Sequence, residues 1–152
     1  MIEFTNEVEI RLTPEEVFEF IANFENAPKW NYPVTDVKKR SSGPIGVGTV
    51  FDQTRKTDRQ SYQITDSIPN RRVEVTTTPG STPAFTMRYD FDSTPDGTRL
   101  TDHWQLQSGH NHLVELLGER RIRAAVAENL GKLKQLLETG TTTLQDGGTT
   151  TR

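Results

Sequence analysis

The sequence predicts an α+β domain in which a seven-stranded antiparallel sheet curves around one long C-terminal helix. Three observations support this prediction. Apolar and polar residues alternate along short segments up to about residue 107, turn residues separate these segments, and the apolar period becomes helical from about residue 112. Alternation is typical of strands with one buried face, whereas apolar spacings of three and four are typical of helices. Two short helices are predicted between the first and second strands.

The first strand and the two short helices follow from local signals. Residues 3–12 alternate in polarity, which predicts a half-buried strand. Thr13 suits the N-cap of a helix, Pro14 suits its first position, and Glu16 completes a capping box. Pro28 interrupts the apolar stripe that follows and predicts a new, second helical start.

Six further strands are predicted after the short helices. The last two are joined by Thr94-Pro95-Asp96-Gly97, which is a strong hairpin signal. A tight turn there would place Tyr89 opposite Asp102 and Met87 opposite Trp104. The predicted strands are 35–40, 47–57, 60–67, 72–78, 84–93 and 98–107.

The C-terminal part of the sequence divides into a helix and a tail. Leucines recur at helical spacings from about residue 112 to residue 138, which predicts one long helix. The following segment is mostly Thr and Gly, and Leu144 is its one apolar residue. Such a composition buries too little apolar surface to offset the entropy of ordering. We therefore expect a domain at residues 1–139 and a disordered tail at 140–152.

Composition excludes several classes of protein. The chain has 152 residues and no cysteine, so it is long enough for one domain and has no disulfide framework. Its net charge of −3 argues against nucleic-acid binding. The first ten residues lack the features of a signal peptide, and no apolar run approaches the roughly 20 residues of a membrane span. We expect a cytoplasmic protein, either monomer or homodimer.

Strand parity identifies the side chains that face the inside of the curved sheet. They are mostly aromatic and aliphatic, with a few isolated polar groups that include Asn6. This composition is expected of a pocket for a small hydrophobic ligand. The candidate ligand-binding residues are Phe51, Gln53, Arg55, Tyr62, Ile64, Val75, Phe85, Met87, Tyr89, Asp102 and Trp104.

Asp102 stands out because it lies within the apolar stripe between Leu100 and Trp104. A buried carboxylate must be paired, hydrogen-bonded or protonated, and desolvation raises its pKa. Asp102 could therefore act as a general acid/base or as a ligand anchor, and with Tyr89 it is the candidate catalytic pair if the protein is an enzyme. The alternatives are a structural carboxylate bonded to Tyr89 or Arg55, or one in water at the cavity rim.

Other residues have simpler interpretations. Tyr62 and Tyr89 could orient a ligand oxygen or could be core residues, and Trp30 is expected to pack beneath the short helices, with the cavity mouth as its alternative. The spacing of His110 and His112 is that of a metal pair, but no third ligand accompanies it. His103 faces outward by parity. We expect no metal and no cofactor.

The segment PEEVFEFIANFENAPKW, the Gly46-Val47-Gly48-Thr49 turn, Phe51 and the C-terminal ENLGKLKQLLE run together resemble the START-like superfamily, also called SRPBCC or Bet v 1-like. The nearest match is its polyketide cyclase/dehydrase-type group. The resemblance covers about residues 2–138. It implies a helix-grip fold with a cavity between the sheet and the C-terminal helix.

Three functions are compatible with this resemblance. The first is binding of a lipid, polyketide or isoprenoid-like molecule in the cavity, with Asp102, Arg55 and the tyrosines at its polar end. The second is aldol-type cyclisation or dehydration by a polyketide cyclase/dehydratase-type enzyme that uses the Asp102–Tyr89 pair. The third is an interaction domain like the related co-chaperones that activate Hsp90. This last function would require an apolar outer face, whereas the predicted outer face is charged.

Overall fold

The computed structural model describes residues 1–107 and 111–152, except for the side chains of His112 and Leu113. It contains two α-helices, α1 at Pro14–Ala22 and α2 at His112–Thr139, and a 3₁₀ helix at Phe24–Lys29. The strands β1 to β9 are Ile2–Ile10, Val34–Lys39, Val50–Arg55, Arg59–Ile68, Arg72–Thr77, Phe85–Thr94, Gly97–Leu106, Thr141–Thr143 and Thr149–Thr151.

The first seven strands form one antiparallel sheet in the order β1-β7-β6-β5-β4-β3-β2. β1 pairs with β7, so the first strand of the chain lies beside the last hairpin of the sheet. The β6–β7 register pairs Tyr89 with Asp102 and Met87 with Trp104, as the hairpin signal predicts. The predicted α+β architecture is confirmed.

The entry into α1 is also as predicted, but its end is not. The Thr13 hydroxyl accepts a hydrogen bond from the Glu16 amide at 3.3 Å. The helix breaks at Asn23, whose side chain caps the 3₁₀ helix through the Glu25 amide. Pro28 lies inside this 3₁₀ helix, so the prediction that Pro28 forces the new start is wrong. The Asn23 cap supplies the break five residues earlier.

The core lies between the concave face of the sheet and α2. The C-terminal half of α2 places its buried leucines against the sheet, and α1 and the 3₁₀ helix close one end of the same layer. Aromatic rings dominate the other side of the core, where Phe24 contacts both Phe51 and Tyr62 with ring centroids 5.4 and 5.5 Å apart. The buried leucines of α2 are Leu130, Leu133, Leu136 and Leu137.

Residues 140–152 form an ordered two-stranded hairpin, so the prediction of a disordered tail is wrong. Gly140 ends α2 in the left-handed conformation, with φ of 89°, and turns the chain back toward the domain. β8 and β9 then pair through the turn that contains Asp146-Gly147. Thr142 is buried and donates a hydrogen bond to the Gln135 side chain at 2.7 Å. Hydrogen bonding compensates here for the small apolar area.

The convex face of the sheet carries charged residues. Asp90 accepts hydrogen bonds from Arg72 at 2.9 Å and from Arg88 at 3.0 Å, and His103 lies 3.1 Å from the same carboxylate. The outward orientation of His103 is thus as parity predicts. Among the described residues, no helix has the length and apolar character needed to cross a membrane.

Candidate functional site: a cavity between the sheet and the C-terminal helix

A cavity of about 360 Å³ lies between the concave face of the sheet and α2. The sheet forms its floor, α1 and the 3₁₀ helix form one end, and the segment that follows the 3₁₀ helix forms a side wall. We refer to this segment, Trp30–Val34, as the wall segment. Four residues of α2 complete the lining, namely Ile122, Ala125, Val126 and Asn129.

Most of the predicted ligand-binding residues line this cavity. Three of the predicted residues lie outside the lining: Phe51 and Ile64 are at most 1% exposed and pack within the core, and Asp102 is enclosed beside the cavity. The predicted residues that do line the cavity are Gln53, Arg55, Tyr62, Val75, Phe85, Met87, Tyr89 and Trp104.

Loops and helices make contributions to the lining that sequence reasoning missed. Parity rules apply only to strands, so they give no indication that Tyr32 and Pro33 of the wall segment line the cavity. Trp30, expected to be structural packing, lies on the cavity surface, and its ring centroid is 6.5 Å from that of Tyr89. The remaining lining residues are Ile21, Phe24, Ala27, Asn31, Val34, Gln60, Pro83 and Leu106.

Two phenol hydroxyls of the lining have no hydrogen-bond partner among the described residues. Tyr62 and Tyr89 are each 2% exposed, and neither hydroxyl forms a hydrogen bond with any described residue. Among the described residues, Asp102 Oδ1 is the sole fully enclosed polar side-chain atom without a partner, so both hydroxyls face the open space of the cavity. Desolvation raises the pKa of both phenols, which therefore remain neutral hydrogen-bond donors.

Other polar groups of the lining already have partners. The Arg55 guanidinium holds Asp58 at 2.7 Å and lowers the pKa of that carboxylate. Gln60 donates to the Pro83 carbonyl at 3.2 Å and accepts from Gln53 at 3.4 Å. Within the described lining, Arg55 is the one charged residue, and Asp58 neutralises it. The cavity thus presents an apolar surface with no net charge and two unpaired phenols.

Asp102 is buried beside the cavity rather than in its wall. Its side chain is 1% exposed, its Oδ2 accepts a hydrogen bond from Trp104 Nε1 at 3.0 Å, and its Oδ1 has no partner among the described residues. Burial raises the pKa of this carboxyl to about 8, and the indole hydrogen bond opposes that shift. The alternatives in which Asp102 bonds to Tyr89 or Arg55 do not describe this arrangement, since Trp104 is the partner.

This geometry bears on the proposed acid/base pair. Asp102 faces Tyr89 across β6 and β7, and its charge contributes to the raised pKa of the Tyr89 phenol. A molecule in the cavity would meet Tyr89 and Trp104 before Asp102, because Asp102 lies outside the lining. Asp102 could therefore act on such a molecule only through these two side chains. The catalytic assignment stays a prediction.

Among the described residues, the polar groups away from the cavity do not form a second centre. Asn6, predicted as an inner polar group, donates to the Arg123 carbonyl of α2 at 3.1 Å and so joins β1 to the helix. In the described part of the chain, no cluster of His, Asp and Glu has the arrangement of a metal site. His110 and the side chain of His112 fall outside that part, so the histidine pair is not placed.

Comparison with known proteins supports the fold, and the matched segment contains the residues that line the cavity. A family model described as polyketide cyclase / dehydrase and lipid transport matches residues 1–138. The match therefore includes every residue of the lining and ends before β8. No curated protein sequence matches the chain significantly.

Solved structures with the same fold have low sequence identity to this chain. The solution structure of the Aha1 dimer from Colwellia psychrerythraea has a TM-score of 0.68 and 17% identity, covering 92% of this chain and 98% of that one. Protein BH1534 from Bacillus halodurans has a TM-score of 0.70 and 16% identity, with 91% and 100% covered.

A third structure is the di-domain ARO/CYC protein StfQ of the steffimycin biosynthetic pathway, with a TM-score of 0.71 and 14% identity. The match covers 90% of this chain and 50% of that one, and at this identity the likeness concerns the fold. The family match over residues 1–138 and the helix-grip fold lead to one conclusion: the chain belongs to the polyketide cyclase/dehydrase and lipid transport family of the START-like (SRPBCC) superfamily.

Proposed function

We propose that this protein binds a small, neutral hydrophobic molecule in the cavity between the sheet and α2. The observation that carries the proposal is an apolar cavity of about 360 Å³ that is lined by aliphatic and aromatic side chains and has two phenol donors without a partner among the described residues. The similarity of the chain to a family of polyketide cyclases, dehydrases and lipid transport proteins supports it. Burial of ligand surface against this lining would supply most of the affinity.

The size of the cavity restricts the ligand class. Small-molecule pockets span about 300–1,000 Å³, and this one lies at the lower end of that range. A compact ring system, such as a short polyketide or a monocyclic isoprenoid, fits this volume better than a long-chain lipid. Because the lining has no net charge, burial of a carboxylate or ammonium group there would be costly.

The two phenols would orient the ligand. Tyr62 and Tyr89 both belong to the floor, and a hydrogen bond from either one needs an acceptor such as a carbonyl or hydroxyl oxygen. We therefore propose a ligand with one or two neutral oxygens on an apolar skeleton. When no ligand is bound, water in the cavity would satisfy these donors.

Native mass spectrometry of the purified protein tests the proposal directly. We expect a non-covalent adduct whose mass corresponds to a compact apolar molecule. Where the expression host does not supply the natural ligand, a titration with the neutral dye N-phenyl-1-naphthylamine should quench the emission of Trp30 and Trp104, which both line the cavity. Absence of both the adduct and any quenching would contradict the proposal.

Removal of a phenol hydroxyl should separate binding from stability. We expect Tyr62→Phe and Tyr89→Phe each to weaken binding of an oxygen-bearing ligand by roughly three- to tenfold, the usual value of one neutral hydrogen bond. The free energy of unfolding should not fall, because neither hydroxyl bonds to a described residue of the protein. Isothermal titration calorimetry and urea denaturation provide the two measurements.

The matched control uses a ligand rather than a variant. Binding of a hydrocarbon analogue that lacks the oxygen should be unaffected or slightly stronger in both Phe variants, because no acceptor is present. Equal losses of affinity for the oxygenated ligand and for its hydrocarbon analogue would show that the phenol hydroxyls do not form hydrogen bonds with the ligand.

A further inference from the structure

The C-terminal hairpin lies outside the residues that match the family model, yet it contacts the cavity wall. The match ends at residue 138, whereas the hairpin begins at Thr141. The hairpin packs beside the wall segment, and its polar side chains reach groups on both sides of that segment. These contacts are specific enough to assign the hairpin a role.

One connection runs through a lining residue of α2. Gln145 in the hairpin turn donates to Asn129 Oδ1 at 2.8 Å. The Asn129 amide nitrogen in turn donates to Asn31 Oδ1 at 3.0 Å and to the Tyr32 carbonyl at 2.9 Å. Asn129 is 5% exposed, whereas Gln145 is exposed, so the relay runs from the protein surface to a side chain that is shielded from water. Gln145 therefore fixes the side-chain orientation of a residue that holds two positions of the wall segment.

A second connection runs around the outside of the wall segment. Lys56 lies 3.3 Å from Asp146 of the hairpin, and its ammonium group sits 4.9 Å from the centre of the Tyr32 ring. The Lys56 amide also donates to the Pro33 carbonyl at 3.3 Å. At the start of the wall segment, Thr150 donates to the Lys29 carbonyl at 2.6 Å. Thr150 thus binds the residue that precedes the wall segment directly, whereas Asp146 acts on Tyr32 and Pro33 through Lys56.

We propose that the hairpin is a clasp: Gln145 and Asp146 are positioning residues that hold the wall segment closed over the ligand and set the rate at which the ligand exchanges. This inference rests on the proposed binding function. The contacts involved are polar and partly exposed, and such contacts open at lower free energy than the leucine core beneath them. Release of the clasp would remove the contacts that orient Asn129 and Lys56, and would thereby weaken their hold on Asn31 and Tyr32 without disturbing the sheet.

Hydrogen–deuterium exchange of the intact chain tests the clasp without a ligand. The amides of Trp30, Asn31 and Val34 are donors in backbone hydrogen bonds, so their exchange reports opening of the wall segment. We expect Gln145→Glu, which keeps the shape but removes the donor, and Asp146→Asn, which removes the charge, each to speed this exchange by roughly three- to tenfold. Exchange in β6 and β7 should not change.

Two controls separate positioning from general stability. Asp146→Glu keeps a carboxylate for Lys56 and should restore slow exchange. Thr143→Ser changes an exposed hairpin residue whose side chain takes no part in either connection, and it should behave as wild type. Unchanged exchange of the wall segment in both Gln145→Glu and Asp146→Asn would overturn the clasp, as would equal acceleration throughout the sheet.

Ligand kinetics complete the test. We expect the dissociation rate of N-phenyl-1-naphthylamine, followed by stopped-flow fluorescence, to rise in Gln145→Glu and Asp146→Asn by the same factor as the exchange rate. A dye that binds with unaltered kinetics in both variants would overturn the clasp and leave the binding function intact. Failure of wild type to bind any apolar ligand would overturn the binding function, and the exchange data would still decide whether the hairpin holds the wall.

Discussion

Between pH 5 and pH 8 we expect the free energy of unfolding to fall by roughly 4 kcal/mol, at about 1.4 kcal/mol for each pH unit. The cause is Asp102, whose pKa burial raises from 3.8 to about 8. In this window the folded protein retains a proton on Asp102 that the unfolded chain has lost. Stability therefore falls as pH rises through the window, and it levels off once the folded carboxyl also ionises.

Few other described titratable groups oppose this fall in the free energy of unfolding between pH 5 and pH 8. Carboxylates with lowered pKa values, such as Asp58 and Asp90, stabilise the fold above their unfolded pKa and lose that effect only when the pH falls below about 4. Tyr89, which faces Asp102, has a pKa well above 10 and stays neutral throughout. Urea denaturation at several pH values gives the free energy of unfolding at each pH and so measures its pH dependence.

Asp102→Asn is the matched variant for this prediction. Asparagine keeps an oxygen that can accept the Trp104 Nε1 hydrogen bond, but it cannot ionise. We expect the fall in stability between pH 5 and pH 8 to disappear in this variant. The same slope in both proteins would show that another group titrates, and a flat wild-type profile would show that Asp102 is ionised in the folded state.

Filling the cavity should weaken ligand binding while the fold is retained. Val126 is half-buried on α2 and lines the cavity. We expect Val126→Phe to weaken binding of N-phenyl-1-naphthylamine by at least about tenfold, equivalent to about 1.4 kcal/mol. The larger ring would occupy ligand space instead of displacing packed neighbours, so the usual cost of overpacking should be small.

Ala127→Phe is the control, because Ala127 is the next residue of α2, is exposed and does not line the cavity. Dye titration and thermal unfolding should be measured for both variants. We expect wild-type affinity in Ala127→Phe and a melting temperature close to wild type in Val126→Phe. Wild-type affinity in a folded Val126→Phe protein would place the dye elsewhere.

The sequence by itself determined the succession of strands, the hairpin register and the concave stripe. These features depend on local rules: alternation, a Pro-Asp-Gly turn and a helical leucine period act between residues close in the chain. Such rules suffice to place Tyr89 opposite Asp102, and the observed pairing of β6 with β7 agrees. The raised pKa of Asp102 is predictable for the same reason, since parity alone places it in an apolar layer.

Only the tertiary structure decided how the remaining groups meet. Trp104 and Asp102 are two residues apart on the same face of β7, and the indole nitrogen of Trp104 donates a hydrogen bond to the Asp102 carboxyl group. The sequence had instead suggested Tyr89 or Arg55 as the partner of Asp102. The wall segment has no periodicity, so its place in the lining follows from packing alone.

The C-terminal hairpin is a second feature that depends on long-range contacts and that local sequence rules did not predict. Asp146-Gly147 between threonine-rich segments is a hairpin signal, but the prediction of a disordered tail rested on the low apolar content and did not use it. Gln145 and Thr150 obtain their hydrogen bonds from residues more than a dozen positions away. Such long-range contacts offset the entropy of ordering, and local composition does not record them.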